Sequence, residues 1–143
     1  YRLLQAVRDC GADNAKEWEE WILFILKGVE ETSIETTAMI KAISKMMADY
    51  KAVLKPLFGT TYKHELLNNL FFHPYTKIEF VCHDMGVQRK TGAKYLDMIV
   101  AAGLLNKIKI GRENYYINER LFELFLNYSQ SVKTEDVDII HTE

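Results

Sequence analysis

The sequence predicts a mainly α protein in which a helical segment is followed by a winged helix-turn-helix carrying a small antiparallel β-hairpin. Three observations carry that prediction. Residues 76–118 read in order as a short helix, a glycine-containing turn, a second, basic helix and two short strands, which is the order of a winged helix. Upstream of them, apolar residues recur at helical spacing over two long stretches. Turn residues punctuate the chain where those patterns stop, and nothing in the motif is arranged to make or break covalent bonds.

The elements follow from particular residues. The chain opens on the amphipathic Tyr1-Arg2-Leu3-Leu4, and Gly11-Ala12-Asp13-Asn14 separates that helix from the next. Trp18, Trp21, Ile22, Ile25, Leu26 and Val29 share one helical face, as do Met39, Ile40, Ile43, Met47, Tyr50 and Leu54. Such a stripe forms core and is not a cofactor site; here it is either left exposed or covered by a second copy of the chain. Pro56 with Gly59-Thr60-Thr61 marks a boundary. Residues 62–72 form the first helix of the winged-helix part, through Leu66, Leu67, Leu70 and Phe71.

Thr76 and Glu79 have the spacing of a capping box, with Tyr75 placed to staple onto Phe80, so a helix is expected to start at Thr76. It continues through Ile78, Val81 and Met85 to Gly86, whose tolerance of positive φ suits a sharp exit. Val87 plugs the turn. From Gln88 a second helix turns Tyr95, Leu96, Ile99 and Val100 inward and Arg89, Lys90 and Lys94 outward. Gly103 ends it, residues 104–110 alternate as a strand, Gly111-Arg112-Glu113-Asn114 turns, and Tyr115-Tyr116-Ile117-Asn118 returns as the wing. The expected division is a helical segment at 1–58, a winged-helix domain at 59–128 and an acidic, flexible tail at 129–143.

Composition bounds what this chain does. With 143 residues, 48% of them hydrophobic, and a net charge of -2, it buries one ordinary core or two small ones packed together. The longest apolar run, residues 21–26, is too short to span a bilayer, and no basic-then-apolar leader opens the chain, so a cytoplasmic protein without a membrane partner is expected. Cys10 and Cys82 offer neither a disulfide framework nor a zinc pattern and read as reduced, buried thiols. His64, His73, His83 and His141 lack metal-ligand spacing, so no metal site is expected. The chain begins without an initiator Met, which reads as a fragment with its upstream part missing.

The net charge hides an asymmetry. From Gln88 to Arg112 there are six basic residues and one acid, Asp97, for a local +5, whereas from Glu113 to Glu143 seven acids face two bases, for -5. A phosphate backbone responds to the local patch and not to the sum. If double-stranded DNA is the partner, the start of the second helix enters the major groove, where Gln88 suits adenine and Arg89 suits guanine. Lys90, Lys94, Lys107 and Lys109 then contact phosphates, which position the protein without specifying sequence, and Arg112 at the wing tip enters a minor groove. The plainer reading of the same charges is a solvated helix face with ordinary wing lysines.

Several strings also resemble a known family. YRLLQAVRD at 1–9, WEEWILFILKGVE at 18–30, LLNNLFFHPYTKIEF at 66–80, AGLL at 102–105, and Gly111-Arg112 with NYYIN at 114–118 are similar to the C-terminal part of bacterial Fic (filamentation-induced by cAMP) proteins. The resemblance covers nearly the whole chain except the tail after about Tyr128. It implies a helical Fic core that transfers AMP from ATP to a target hydroxyl, followed by a winged-helix domain, with residues 1–54 as the closing helices of that core.

The family's catalytic loop reads H-P-F-x-x-G-N-G-R, in which the His is the general base, the Asn helps hold the metal, and the glycines let backbone cradle the phosphates. No such string occurs in this chain. His73-Pro74-Tyr75 opens similarly, but Thr76-Lys77-Ile78-Glu79 follows, without a glycine. No catalytic residue is therefore carried over: this chain is expected to be non-catalytic and to hold no cofactor, with ATP and Mg belonging to the core of a parent adenylyltransferase. Ser131 and Glu135 echo the S-x-x-x-E opening of the helix that inhibits some Fic proteins, but Asp136 breaks its continuation, leaving an acidic tail that folds over the basic face or stays solvated. Two readings of the winged helix stand side by side. One is DNA binding that localises the enzyme or autoregulates its gene; the other is protein recognition, of a substrate or of a second copy.

Overall fold

The computed structural model describes residues 1–10 and 15–138, with side chains for 1–9 and 15–128. The chain divides into two compact units, Tyr1–Lys41 and Ala42–Glu143. Cys10, the 11–14 turn, Ser131, Glu135, Asp136, His141 and the proposed fold-back of the tail lie outside the described side chains.

In the first unit, α1 is Arg2–Cys10, and α2, Ala15–Phe58, supplies its residues up to Lys41. The two apolar stripes belong to this one helix. Nothing between Val29 and Met39 breaks it, because the Thr32 and Ser33 hydroxyls donate back to the Gly28 and Val29 carbonyls at 2.8 and 2.6 Å instead of competing with the helix. Trp18 and Trp21 meet edge to face at 6.0 Å, yet Ile22, Ile25, Leu26 and Val29 remain exposed.

The second unit holds the continuous core. The rest of α2 brings Tyr50, Leu54 and Phe58 to it, at i, i+4, i+8 spacing on one side of the helix. After a 3-10 turn at Gly59–Thr61, α3 (His64–Phe72) adds Leu66, Leu67 and Leu70, α4 (Ile78–Met85) adds Val81 and Met85, and α5 (Arg89–Ala101) adds Leu96 and Ile99. Two edge-to-face pairs, Tyr50 with Phe71 and Phe58 with Tyr95, both at 5.0 Å, seat α2 against α3 and α5. Gly86 ends α4 at φ 64°, as a left-handed exit requires.

Strands β1 (Tyr75–Thr76), β2 (Asn106–Ile110) and β3 (Glu113–Ile117) form an antiparallel sheet in the order β1-β3-β2. The hairpin is tighter than the sequence suggested. Glu113 pairs with Ile110 and Asn114 with Lys109, so only Gly111-Arg112 turns. The result is a mainly helical fold with a winged-helix-like hairpin.

The expected capping box does not form. Thr76 lies in β1 opposite Tyr116, and its hydroxyl donates to Asn69 Oδ1 at 2.6 Å, while α4 begins at Ile78 with Lys77 as an N-cap whose side chain makes no capping bond. A buried hydroxyl next to a buried amide satisfies two groups away from water, whereas capping here would have left Asn69 short of a partner. Tyr75 packs on His73 and Tyr115. The last helix, α6 (Glu119–Asp138), is capped by Asn118, whose Oδ1 accepts the Leu121 N–H at 3.2 Å.

Candidate nucleic-acid interface

The second helix of the motif is held by an intimate crossing. Gly92 is buried on α5, and a methyl group there would stand 2.7 Å from the Cys82 sulfur and 3.5 Å from the Ile78 carbonyl, both on α4. Cys82, the described cysteine, is thus a packing residue of the helix-turn-helix. Gln88 occupies the N-cap of α5 with an exposed side chain, and Arg89 starts the helix proper.

The six basic candidate residues divide into two groups. Arg89 turns toward α4, where Nη1 meets Glu79 Oε1 at 3.2 Å, and it lines a cleft with Lys77, Glu79, Arg112 and Glu113. This cleft brings the wing tip to the start of α5, as the motif requires. Its charges largely cancel: three bases and two acids leave +1. Lys77, which the sequence reading passed over, bonds Glu113 at 2.5 Å and sits 4.4 Å from the Tyr115 ring centroid. The Glu113 hydrogen bond holds the Lys77 ammonium far above its usual range, and Lys77 holds the Glu113 carboxyl below its own.

The other group lies along one stripe. Lys90, Lys94 and Asp97 follow each other at i, i+4, i+7 on α5, and Asp97 Oδ1 accepts Lys107 Nζ of β2 at 2.7 Å. Alternation along β2 puts Lys109 on the same sheet face as Lys107, opposite Asn114 and Tyr116. The Asp97 bond raises the Lys107 pKa, and the Tyr116 ring lies 5.4 Å from the ammonium. Lys90, Lys94, Lys109 and Arg112 are exposed and make no ion pair with another described residue. The same alternation puts Ile108 and Ile110, both exposed, on the opposite face.

Behind this surface a buried clamp fixes the wing to α2. The Tyr50 hydroxyl lies 2.9 Å from the Leu104 carbonyl and 2.8 Å from Asn118 Oδ1, while Asn118 Nδ2 donates to the Leu70 carbonyl at 3.2 Å and Asn118 N to the Pro74 carbonyl at 2.8 Å. Residues 50, 70, 104 and 118 are thereby joined through two side chains.

The family described as "Protein adenylyltransferase SoFic-like, C-terminal domain" matches residues 46–121, more than half of the chain. The chain belongs to this family. The matched segment of the SoFic-like C-terminal domain begins inside α2, one turn before Tyr50, and ends at Leu121, whose N–H Asn118 caps. Both halves of the clamp therefore lie within it, as do all seven candidate residues. Among solved structures, the crystal structure of RV1404 from Mycobacterium tuberculosis is 15% identical with a TM-score of 0.36, over 78% of this chain and 80% of that one. Among the described residues no helix is long and apolar enough to cross a membrane, and no cluster of three His, Cys, Asp or Glu side chains has the arrangement of a metal site.

Proposed function

We propose that this SoFic-like C-terminal domain binds double-stranded DNA through α5 and the wing, and so localises a parent protein adenylyltransferase or regulates its gene. The observation that carries the reading is the stripe of Lys90 and Lys94, exposed and one turn apart, with Lys109 on the neighbouring strand face. These three are the phosphate contacts, and Arg112 at the wing tip enters a minor groove. Lys107 and Arg89 join only by exchanging Asp97 and Glu79 for a phosphate or a base edge, which an exposed ion pair of about 0–1 kcal/mol permits. Gln88 and Arg89 at the helix start are the base-reading candidates. AMP transfer from ATP, with Mg, belongs to the parent's Fic core, and the cytoplasm is where it would act.

A salt titration of duplex binding tests this. Three phosphate contacts predict a log–log slope of about -2.7, at about 0.9 per contact. Undetectable binding at low salt, also with residues 129–143 deleted, rejects DNA as the partner. A second reading, protein recognition of a substrate or of another copy, is favoured by the near-cancelling charges of the cleft and by exposed Ile108 and Ile110.

A further inference from the structure

The second unit contains a cavity of about 250 Å³ between the end of α3, β1 and α4 that shares no lining residue with the cleft under the wing. Four rings, Phe72, His73, Tyr75 and Phe80, form its apolar side, and the His83 imidazole lines it beside Asp84. Phe72 meets His73 edge to face at 4.8 Å, and His73 stacks on Tyr75 at 6.0 Å with 17° between planes. Phe72 is 81% exposed while its neighbours Leu66, Leu67 and Leu70 fill the core, so the core makes no use of it. An aromatic left in water beside three others marks a binding surface more than a packing one.

The polar wall is built with care for one charge. Asp84 Oδ2 accepts from Asn69 Nδ2 at 2.6 Å, Asn69 Oδ1 accepts from Thr76 at 2.6 Å, and Asp84 Oδ1 meets His83 Nδ1 at 2.9 Å. This relay orients the carboxylate, and His83 first, then Asn69, hold its pKa below the usual range. A carboxylate accepts about four hydrogen bonds, and only two come from these partners. The same relay is what drew Thr76 away from capping α4.

We infer that this cavity receives an arginine side chain of a partner protein, its guanidinium stacked on the ring faces and hydrogen-bonded to Asp84. The volume lies below the ~300 Å³ at which small-molecule sites begin, and suits a single side chain. A fixed anion among π faces selects a cation and disfavours a phosphate or a carboxylate. Arginine fits better than lysine because its planar, weakly hydrated head stacks on rings while donating in a fork.

The full chain titrated with N-acetyl-arginine amide and followed by NMR tests the assignment. Saturating shifts centred on Phe72, Tyr75, Phe80 and Asp84, with a Kd on the order of millimolar, are expected, because so small a probe carries little binding energy. N-acetyl-citrulline amide, isosteric but uncharged, should give none, and Phe72→Ala and Asp84→Asn should each weaken binding by about tenfold or more. Should Asp84→Asn unfold, Phe72→Ala decides, since that side chain is largely outside the core. Shifts that fail to saturate, equal binding of the citrulline probe, or equal binding of N-acetyl-lysine amide would overturn the guanidinium assignment.

Discussion

Gly92 of α5 lies against Cys82 of α4 so closely that a methyl group on Gly92 would stand 2.7 Å from the cysteine sulfur. The helix-turn-helix therefore depends on the absence of a side chain at one position and on the small size of another.

Gly92→Ala should destabilise the protein by up to about 2 kcal/mol. Overpacking of about 1–3 kcal/mol outweighs the gain of about 1 kcal/mol in helix propensity. Cys82→Ala in the same chain removes the opposing sulfur and should recover most of the loss, which urea unfolding of the double-mutant cycle measures. A stabilised Gly92→Ala protein would show that the two helices are further apart.

The clamp between Tyr50 and Asn118 predicts a graded series. Tyr50→Phe leaves the Leu104 carbonyl without the hydroxyl donor but keeps the ring in the core, and should cost about 1–3 kcal/mol. Asn118→Ala should cost more, because the amide also bonds the Leu70 carbonyl and caps α6. Thermal unfolding of the two variants checks the order, and the reverse order would contradict the clamp.

Asp97 places a carboxylate inside the lysine stripe, 2.7 Å from Lys107. If the stripe binds duplex DNA, Asp97→Asn should tighten binding and steepen the salt slope by about 0.9, by releasing Lys107 to a phosphate. Lys94→Ala should shallow it by a similar amount. Fluorescence anisotropy at several salt concentrations reads both, and unchanged slopes would remove the stripe from the interface.

Stability should form a plateau between the ordinary carboxylate and lysine ranges. Glu113 and Asp84 have lowered folded pKa values, so their contribution is present above the unfolded carboxylate pKa and is lost as pH falls through the folded one. Lys77 is raised, so the same ion pair contributes fully below the unfolded lysine pKa and fails as pH rises through the folded value. Lys77→Met should flatten the alkaline limb and part of the acid limb of a Tm-against-pH curve. An alkaline limb that is unchanged in that variant would assign it to other groups.

Much of this was readable from residue order alone, because it depends on neighbours in the chain. Helical spacing placed Leu96 and Ile99 inside and Lys90 and Lys94 outside, the glycine at 86 stopped α4, and Gly111 marked the wing. The family resemblance likewise rested on local strings, and the matched segment at 46–121 agrees with it.

Tertiary structure decided whatever required a partner distant in sequence. Thr76 had the spacing of a cap, but Asn69 and the β3 strand claimed its hydroxyl and backbone. Six basic residues looked like one patch, yet Asp97 and Glu79 engage Lys107 and Arg89 across elements, ten positions away in each case. Spacing tells which face of a helix a charge occupies, and only the fold tells which opposite charge comes to meet it. The aromatic cavity around Asp84 follows the same rule, since α3, β1 and α4 had to pack before its four rings could share one wall.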